Sequence, residues 1–248
     1  NVNHLLRLRS EDLAELFRDE FQRMWGDGPG GRKDSRFGLA KRSAGPQMVM
    51  VGDAQVEVLF APHPKRNGEH GLNWLAQQLR SARHSIDMAL FVFSAQQLAN
   101  ELQERVQAGV DVRLVADPGF ASRSFSEVLD LLGVALPDQN CKLERNNQPY
   151  EQPLRGVGTP RLARGDKLHH KFAVIDNQTV ITGSFNWSPS AAHTNDETLL
   201  AIHSPQLAKH FTREMNRLWD TAELGITPHL RRKLQRQKIR CGDGMERQ

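Results

Sequence analysis

His169 and Lys171 stand two positions apart in KLHHKFAVI, a run whose apolar and β-branched residues predict a strand. Side chains at i and i+2 of a strand share a face. An imidazole and an ammonium are thus expected side by side, with Leu168, His170 and Phe172 pointing the other way and His170 in the core. Ser184 and Asn186 share a face in the same manner on TVITGSFN, with Gly183 before them, and Glu197 follows on the next strand, NDETLLAI. This donor set suits displacement at phosphorus. Imidazole nitrogen attacks or relays a proton, while ammonium, hydroxyl and amide hold the non-bridging oxygens. A carboxylate such as Glu197 beside a histidine would fix its tautomer. Asp176 lies in the turn DNQ, where an Asp side chain caps backbone N–H groups, and is expected to be structural. A lone Glu, a Lys and no second spaced His or Asp argue against zinc or magnesium. No cofactor and no metal are expected.

The pattern H-x-K-x4-D-x6-G-S-x-N, formed by His169, Lys171, Asp176, Gly183, Ser184 and Asn186 and followed by Asn195 and Glu197, resembles the HKD signature of the phospholipase D superfamily. The approach ALFVFSAQQLANELQERVQAGVDVRLVAD resembles the strand-helix-strand that precedes it in that family. The resemblance spans roughly residues 50–220 and implies an α/β fold, an α-β-α sandwich with a mainly parallel mixed sheet. It also implies two such motifs at one active site and a phosphohistidine intermediate, with His169 as general acid/base and the upstream histidine as nucleophile. The compact motif, the GSFNWS segment and the basic flanks resemble bacterial nuclease members, which favours nucleic acid as the phosphodiester. Phospholipid head groups are the alternative substrate. A non-catalytic phosphate-binding module is a further alternative if the upstream motif is degenerate.

These residues need elements to hold them, and the chain supplies strands and helices in alternation. VEVLF (56–60), IDMALFVF (86–93) and VDVRLVAD (110–117) predict strands. Helices are predicted at 72–82, 96–108 and about 124–132, followed by a polar, Pro-rich stretch from about 136 to 166. Strands 168–175 and 179–185 predict a hairpin. Residues 1–25 align without gaps to 195–219, with ten identities that include Ser10/Ser204, Phe17/Phe211, Arg23/Arg217 and Trp25/Trp219. Residues 1–25 are therefore expected to be the tail of an upstream repeat, 26–46 a Gly- and Pro-rich linker, 47–225 the catalytic domain and 226–248 a basic tail. The active site would be completed by that upstream repeat or by a second chain. The position matching Glu197 in the first copy is Asn3, which puts the upstream motif's integrity in question.

The 248 residues are 38% hydrophobic and 25% charged, a globular balance. No apolar run reaches the length of a membrane-spanning helix. A net charge of +4, with six Lys or Arg in HLRRKLQRQKIR (229–240), favours an anionic partner. Cys141 and Cys241 lack metal or redox spacing and suggest two separate thiols without a role. No pattern in the sequence assigns a compartment.

Overall fold

The computed structural model describes residues 1–26, 34–242 and 246–247. Helix α1 (Glu11–Trp25) is followed by a 3-10 turn (Gly38–Lys41), strands β1 (Gln47–Val51) and β2 (Ala54–Ala61), helix α2 (Gly71–Arg80), β3 (Ser85–Leu90), α3 (Gln96–Gln107) and β4 (Asp111–Ala116). Short helices α4 (Pro118–Ala121) and α5 (Glu127–Leu131) precede β5 (Lys142–Leu143) and β6 (Val157–Thr159). The hairpin β7 (Lys171–Ile175) and β8 (Thr179–Gly183) comes next, then α6 (Pro189–His193), β9 (Glu197–His203) and α7 (Pro205–Trp219). The chain closes with β10 (Glu223–Leu224), α8 (Pro228–Cys241) and β11 (Glu246–Arg247). No helix among the described residues is long and apolar enough to cross a membrane.

Nine strands form one sheet in the order β1-β2-β9-β8-β7-β3-β4-β6-β10. The α/β class and the three layers hold, but the sheet is not mainly parallel. Only β3/β4 and β4/β6 pair parallel, and the other adjacent pairs are antiparallel. The reason lies in the second half of the chain. The β7–β8 hairpin and the returning β9 insert between β2 and β3. Four successive reversals across β9, β8, β7 and β3 leave β2 and β3 running in the same direction.

Strand alternation separates two apolar faces. Val56, Val58 and Phe60 of β2, with Leu200 and Ile202 of β9, pack with Leu13 of α1. Phe172 and Val174 of β7 and Ala89 of β3 pack with Ala208, Phe211 and Met215 of α7. Their alternate neighbours Leu59, Leu199, Ala173 and Met88 face α2, α3 and α5 across the sheet. Helices α1 and α7 repeat each other in bounds and in cap. Ser10 Oγ accepts from Leu13 N–H, and Ser204 Oγ accepts from Leu207 N–H, each side chain satisfying an orphan amide of the first turn.

Two of the expected segments are held in the fold by side-chain contacts. Of the linker, 27–33 lie outside the described residues, whereas Lys41 is buried and ion-paired to Glu20 and, at 2.8 Å, to Asp196. The basic tail is no loose end. Helix α8 buries Leu230 in the core, and Cys241 at its last turn is disulfide-bonded to Cys141, so the two thiols are not separate.

Candidate active site

Strand direction gathers the motif at one edge of the sheet. β7 and β9 run opposite to β2, β3, β4 and β8, so the starts of the first two meet the ends of the others. Lys171 opposite Leu90, Gly183 opposite Leu199, and Ala61 opposite Glu197 mark that edge. In open α/β sheets this crevice outside the carboxyl ends of strands is where ligands bind. Gly183 is fixed by two constraints. Its φ is 140°, and a Cβ there would lie 2.0 Å from the Thr198 carbonyl oxygen, so β8 and β9 approach only because the residue is glycine.

Lys171 Nζ lies 3.4 Å from each ring nitrogen of His169 and donates to the His169 carbonyl at 3.1 Å. The same ammonium stands 5.2 Å over the Phe91 ring, against which the His169 ring also packs at 4.6 Å. Burial, then the charge of Lys171, holds the His169 pKa below the ordinary 6.5, against the opposing pull of Asp117. Burial also lowers the Lys171 pKa, and Glu197 pulls it back toward charge. His169 is therefore neutral near pH 7, with a lone pair available.

Ser184 Oγ donates to Glu197 Oε2 and accepts from Thr198 N–H at 3.0 Å, while Asn195 Nδ2 donates to Glu197 Oε1 at 3.3 Å. Glu197 thus orients Ser184 and Asn195 and faces Lys171 electrostatically. It does not hydrogen-bond a histidine among the described residues, contrary to the expectation that it would fix an imidazole tautomer. Its strand starts too far across the edge, two strands from β7. Asn186 Oδ1 is buried without a hydrogen-bond partner among the described residues, an acceptor held out of water. Asp176, at the hairpin turn, accepts from the backbone N–H groups of Arg83, His84 and Ser85 at 2.7–2.9 Å. It ties the turn to the start of β3, at the end of the sheet away from His169.

Several groups escaped the sequence reading. Asp117 accepts from Leu168 N–H at 3.0 Å and from Gly119 and Phe120 N–H, fixing the backbone beside His169. An Asp ending a strand just before Pro118 was the available signal. Phe91, on which the imidazole packs, meets Phe120 edge-on at 4.6 Å. The extended N-terminal segment adds a further tie. Val2 N–H donates to the Lys167 carbonyl, and the Val2 carbonyl accepts from His169 N–H, both at 2.8 Å. His170, opposite in facing, is buried between His4 and Glu214.

The family model described as "Cardiolipin synthase, PLD-like domain" matches residues 75–219, which contain every motif residue named above. The human mitochondrial cardiolipin hydrolase is 31% identical over 154 residues, covering 62% of this chain and 53% of its own length. A phospholipase D of Rickettsia typhi is 29% identical over 139 residues, 56% of this chain and 57% of its own. The chain therefore spans about half the length of these relatives. Among solved structures, the phospholipase D family member Nuc from Salmonella typhimurium matches with a TM-score of 0.52 at 23% identity, over 69% of this chain and 98% of its own. NucT from Helicobacter pylori gives 0.54 at 20%, over 70% and 99%. The likeness to both is one of fold.

Proposed function

Because the chain belongs to the phospholipase D-like family, we propose that it hydrolyses phosphodiester bonds through a phosphohistidine, with nucleic acid as the substrate. The observation that carries this reading is the neutral His169 imidazole held 3.4 Å from the Lys171 ammonium at the ligand-binding edge of the sheet. Lys171 and the Asn186 amide supply the groups that meet the non-bridging oxygens, Ser184 stands beside them with its proton on Glu197, and the ammonium provides there the positive charge a metal would otherwise bring. Glu197 keeps Ser184 in place.

The reaction needs two histidines. One nitrogen attacks phosphorus, the bond to the leaving oxygen breaks, and the second imidazole gives that oxygen a proton. Water then attacks the P–N bond, passing a proton to the second imidazole and freeing the first. The sequence holds one His-x-Lys motif of this kind, and in this reading the second comes from an upstream copy or from a second chain. Residues 1–25 point to an upstream copy. Their helix repeats α7 in length and cap, and the whole segment shares ten aligned identities with 195–219, which supports reading 1–25 as an upstream domain's tail and 47–225 as the catalytic unit. In that arrangement His169 is the acid/base: it takes up the proton that it gives to the leaving oxygen and, neutral again, takes one from the attacking water. A second chain would complete the site equally well in chemical terms.

Phospholipid is the second reading, favoured by the 31% identical human relative, a mitochondrial cardiolipin hydrolase. Incubation with a chelator against single-stranded DNA, RNA and cardiolipin vesicles separates the two. The expected outcome is cleavage of a nucleic acid that survives chelation and drops at least about 10³-fold in His169→Ala. Loss of cleavage on chelation, or full activity in the variant, would overturn the reading.

A further inference from the structure

The C-terminal helix, which the catalytic reading leaves unused, forms one wall of a cleft of about 480 Å³ whose other wall is residues 123–124 and 136–139. Arg123, Lys233, Arg236 and Arg240 line it. Arg123, Arg236 and Arg240 are exposed, and none of the four forms an ion pair with a carboxylate among the described residues. Lys233 Nζ donates to the Ser122 carbonyl, and Gln237 Nε2 donates to the Pro137 carbonyl at 3.3 Å. Asp138 is the cleft's one carboxylate. It accepts from the backbone N–H groups of Asn140 and Lys142 and senses Arg240, so it offsets one of four cations at most. Like charges do not converge in this way for stability. Arg123 and Arg236 disfavour the Lys233 ammonium, after burial itself.

We propose that this cleft is a binding surface for the backbone phosphates of single-stranded nucleic acid, extending the active site along the strand. It rests on the nucleic-acid reading above. Continuity with the site is direct: His169 packs on Phe91, Phe91 on Phe120 of α4, and the residues just after α4 are Ser122 and Arg123. Lys233, Arg236 and Arg240 recur on one side of α8 over about 10 Å, roughly three phosphates of a stacked strand. The adjoining Phe125 is 40% exposed, an aromatic of the kind bases stack on. A membrane surface fits less well. Leu230 and Leu234 are turned into the core, leaving Ile239 as the helix's one exposed large apolar side chain, and the cations line a concavity where lipid binding needs an amphipathic face. The Cys141–Cys241 bond joins the two walls beside Arg240.

The test compares the full chain with Arg236→Ala/Arg240→Ala in three assays: binding of a labelled oligothymidylate across a salt series, binding to cardiolipin vesicles, and hydrolysis of bis(p-nitrophenyl) phosphate. The expected result is oligonucleotide affinity down about tenfold or more, and a log K against log[salt] slope shallower by roughly 1.4. The small diester should be turned over unchanged. Arg123→Ala, from the opposite wall, should flatten the slope by about half as much. Unchanged affinity and slope, or a loss confined to vesicles, would overturn the proposal. Absent turnover of the small diester by the unsubstituted protein carrying both motifs would instead count against the catalytic reading and leave the cleft's binding legible.

Discussion

A neutral imidazole next to a cation is a poised nucleophile or base, and at His169 that poise has a measurable signature. Burial and Lys171 both favour the unprotonated ring, and a general acid works only while protonated, so the alkaline limb of kcat/KM should begin below pH 6.5, the ordinary histidine value. Removing the ammonium removes one of these causes. In Lys171→Met the His169 ring protons, followed by NMR, should titrate at higher pH than in the unsubstituted chain. An unmoved titration would mean that the two side chains do not sense each other and that the 3.4 Å approach has no electrostatic consequence. The pairing itself was legible in the sequence because strand periodicity dictates it: two residues apart means one face. The role of Asp117 was not legible. Its carboxylate acts on backbone amides of residues 119, 120 and 168, and no local pattern signals a partner about fifty positions away.

Elements were readable where periodicity was strong and unreadable where pairing was distant. The helices at 71–80 and 96–107, the hairpin around Asp176 and the capped α7 follow from local spacing, turn residues and Ser caps. Strand order does not, since β2 finds β9 and not β3, a choice made by long-range packing against α1 and α7. The disulfide was equally hidden, because Cys141 and Cys241 are 100 residues apart with no spacing signature. It fastens α8, whose sequence is too polar to dock strongly by apolar burial alone: Leu230 is its single buried residue. Closing a loop of that length restricts the unfolded chain considerably. Cys141→Ser/Cys241→Ser should therefore lose about 2–4 kcal/mol in denaturant melts. The same variant should bind oligothymidylate more weakly while cleaving the small diester normally, since the two walls of the cleft separate and the edge of the sheet does not. A variant as stable and as tightly binding as the parent would show that packing, not the bond, holds α8.

At the scale of the molecule, one part-buried chain of hydrogen bonds links the N-terminal segment, the strand of the His169–Lys171 motif, its hairpin partner and α7. Thr182 Oγ1 lies 2.7 Å from His4 Nε2, His4 Nδ1 lies 2.9 Å from His170 Nδ1, and His170 Nε2 lies 3.0 Å from Glu214 Oε1. A carboxylate only accepts, so His170 carries its proton on Nε2 and receives at Nδ1 from His4, whose Nε2 in turn accepts from Thr182. Each imidazole is satisfied only while neutral. Burial, followed by the charges of His170 and Lys171, holds the His4 pKa at about 4, with Glu214 opposing. Burial likewise lowers that of His170 despite its bond to Glu214, with Arg217 and Lys171 adding to the effect. The unfolded chain takes up these protons near 6.5 and the folded chain resists until lower pH. The contribution to stability is therefore present above 6.5 and is lost as pH falls from there toward 4. Because Val2 pairs with both Lys167 and His169, the segment that His4 anchors is the one bracing the catalytic backbone. The thermal midpoint of the chain should thus drop steeply between about pH 6.5 and 4, while His4→Asn starts lower at neutral pH and loses less over the same interval. Melts of the two proteins across that range decide it. Parallel curves would mean that protonation of this pair is not what acid does to the fold.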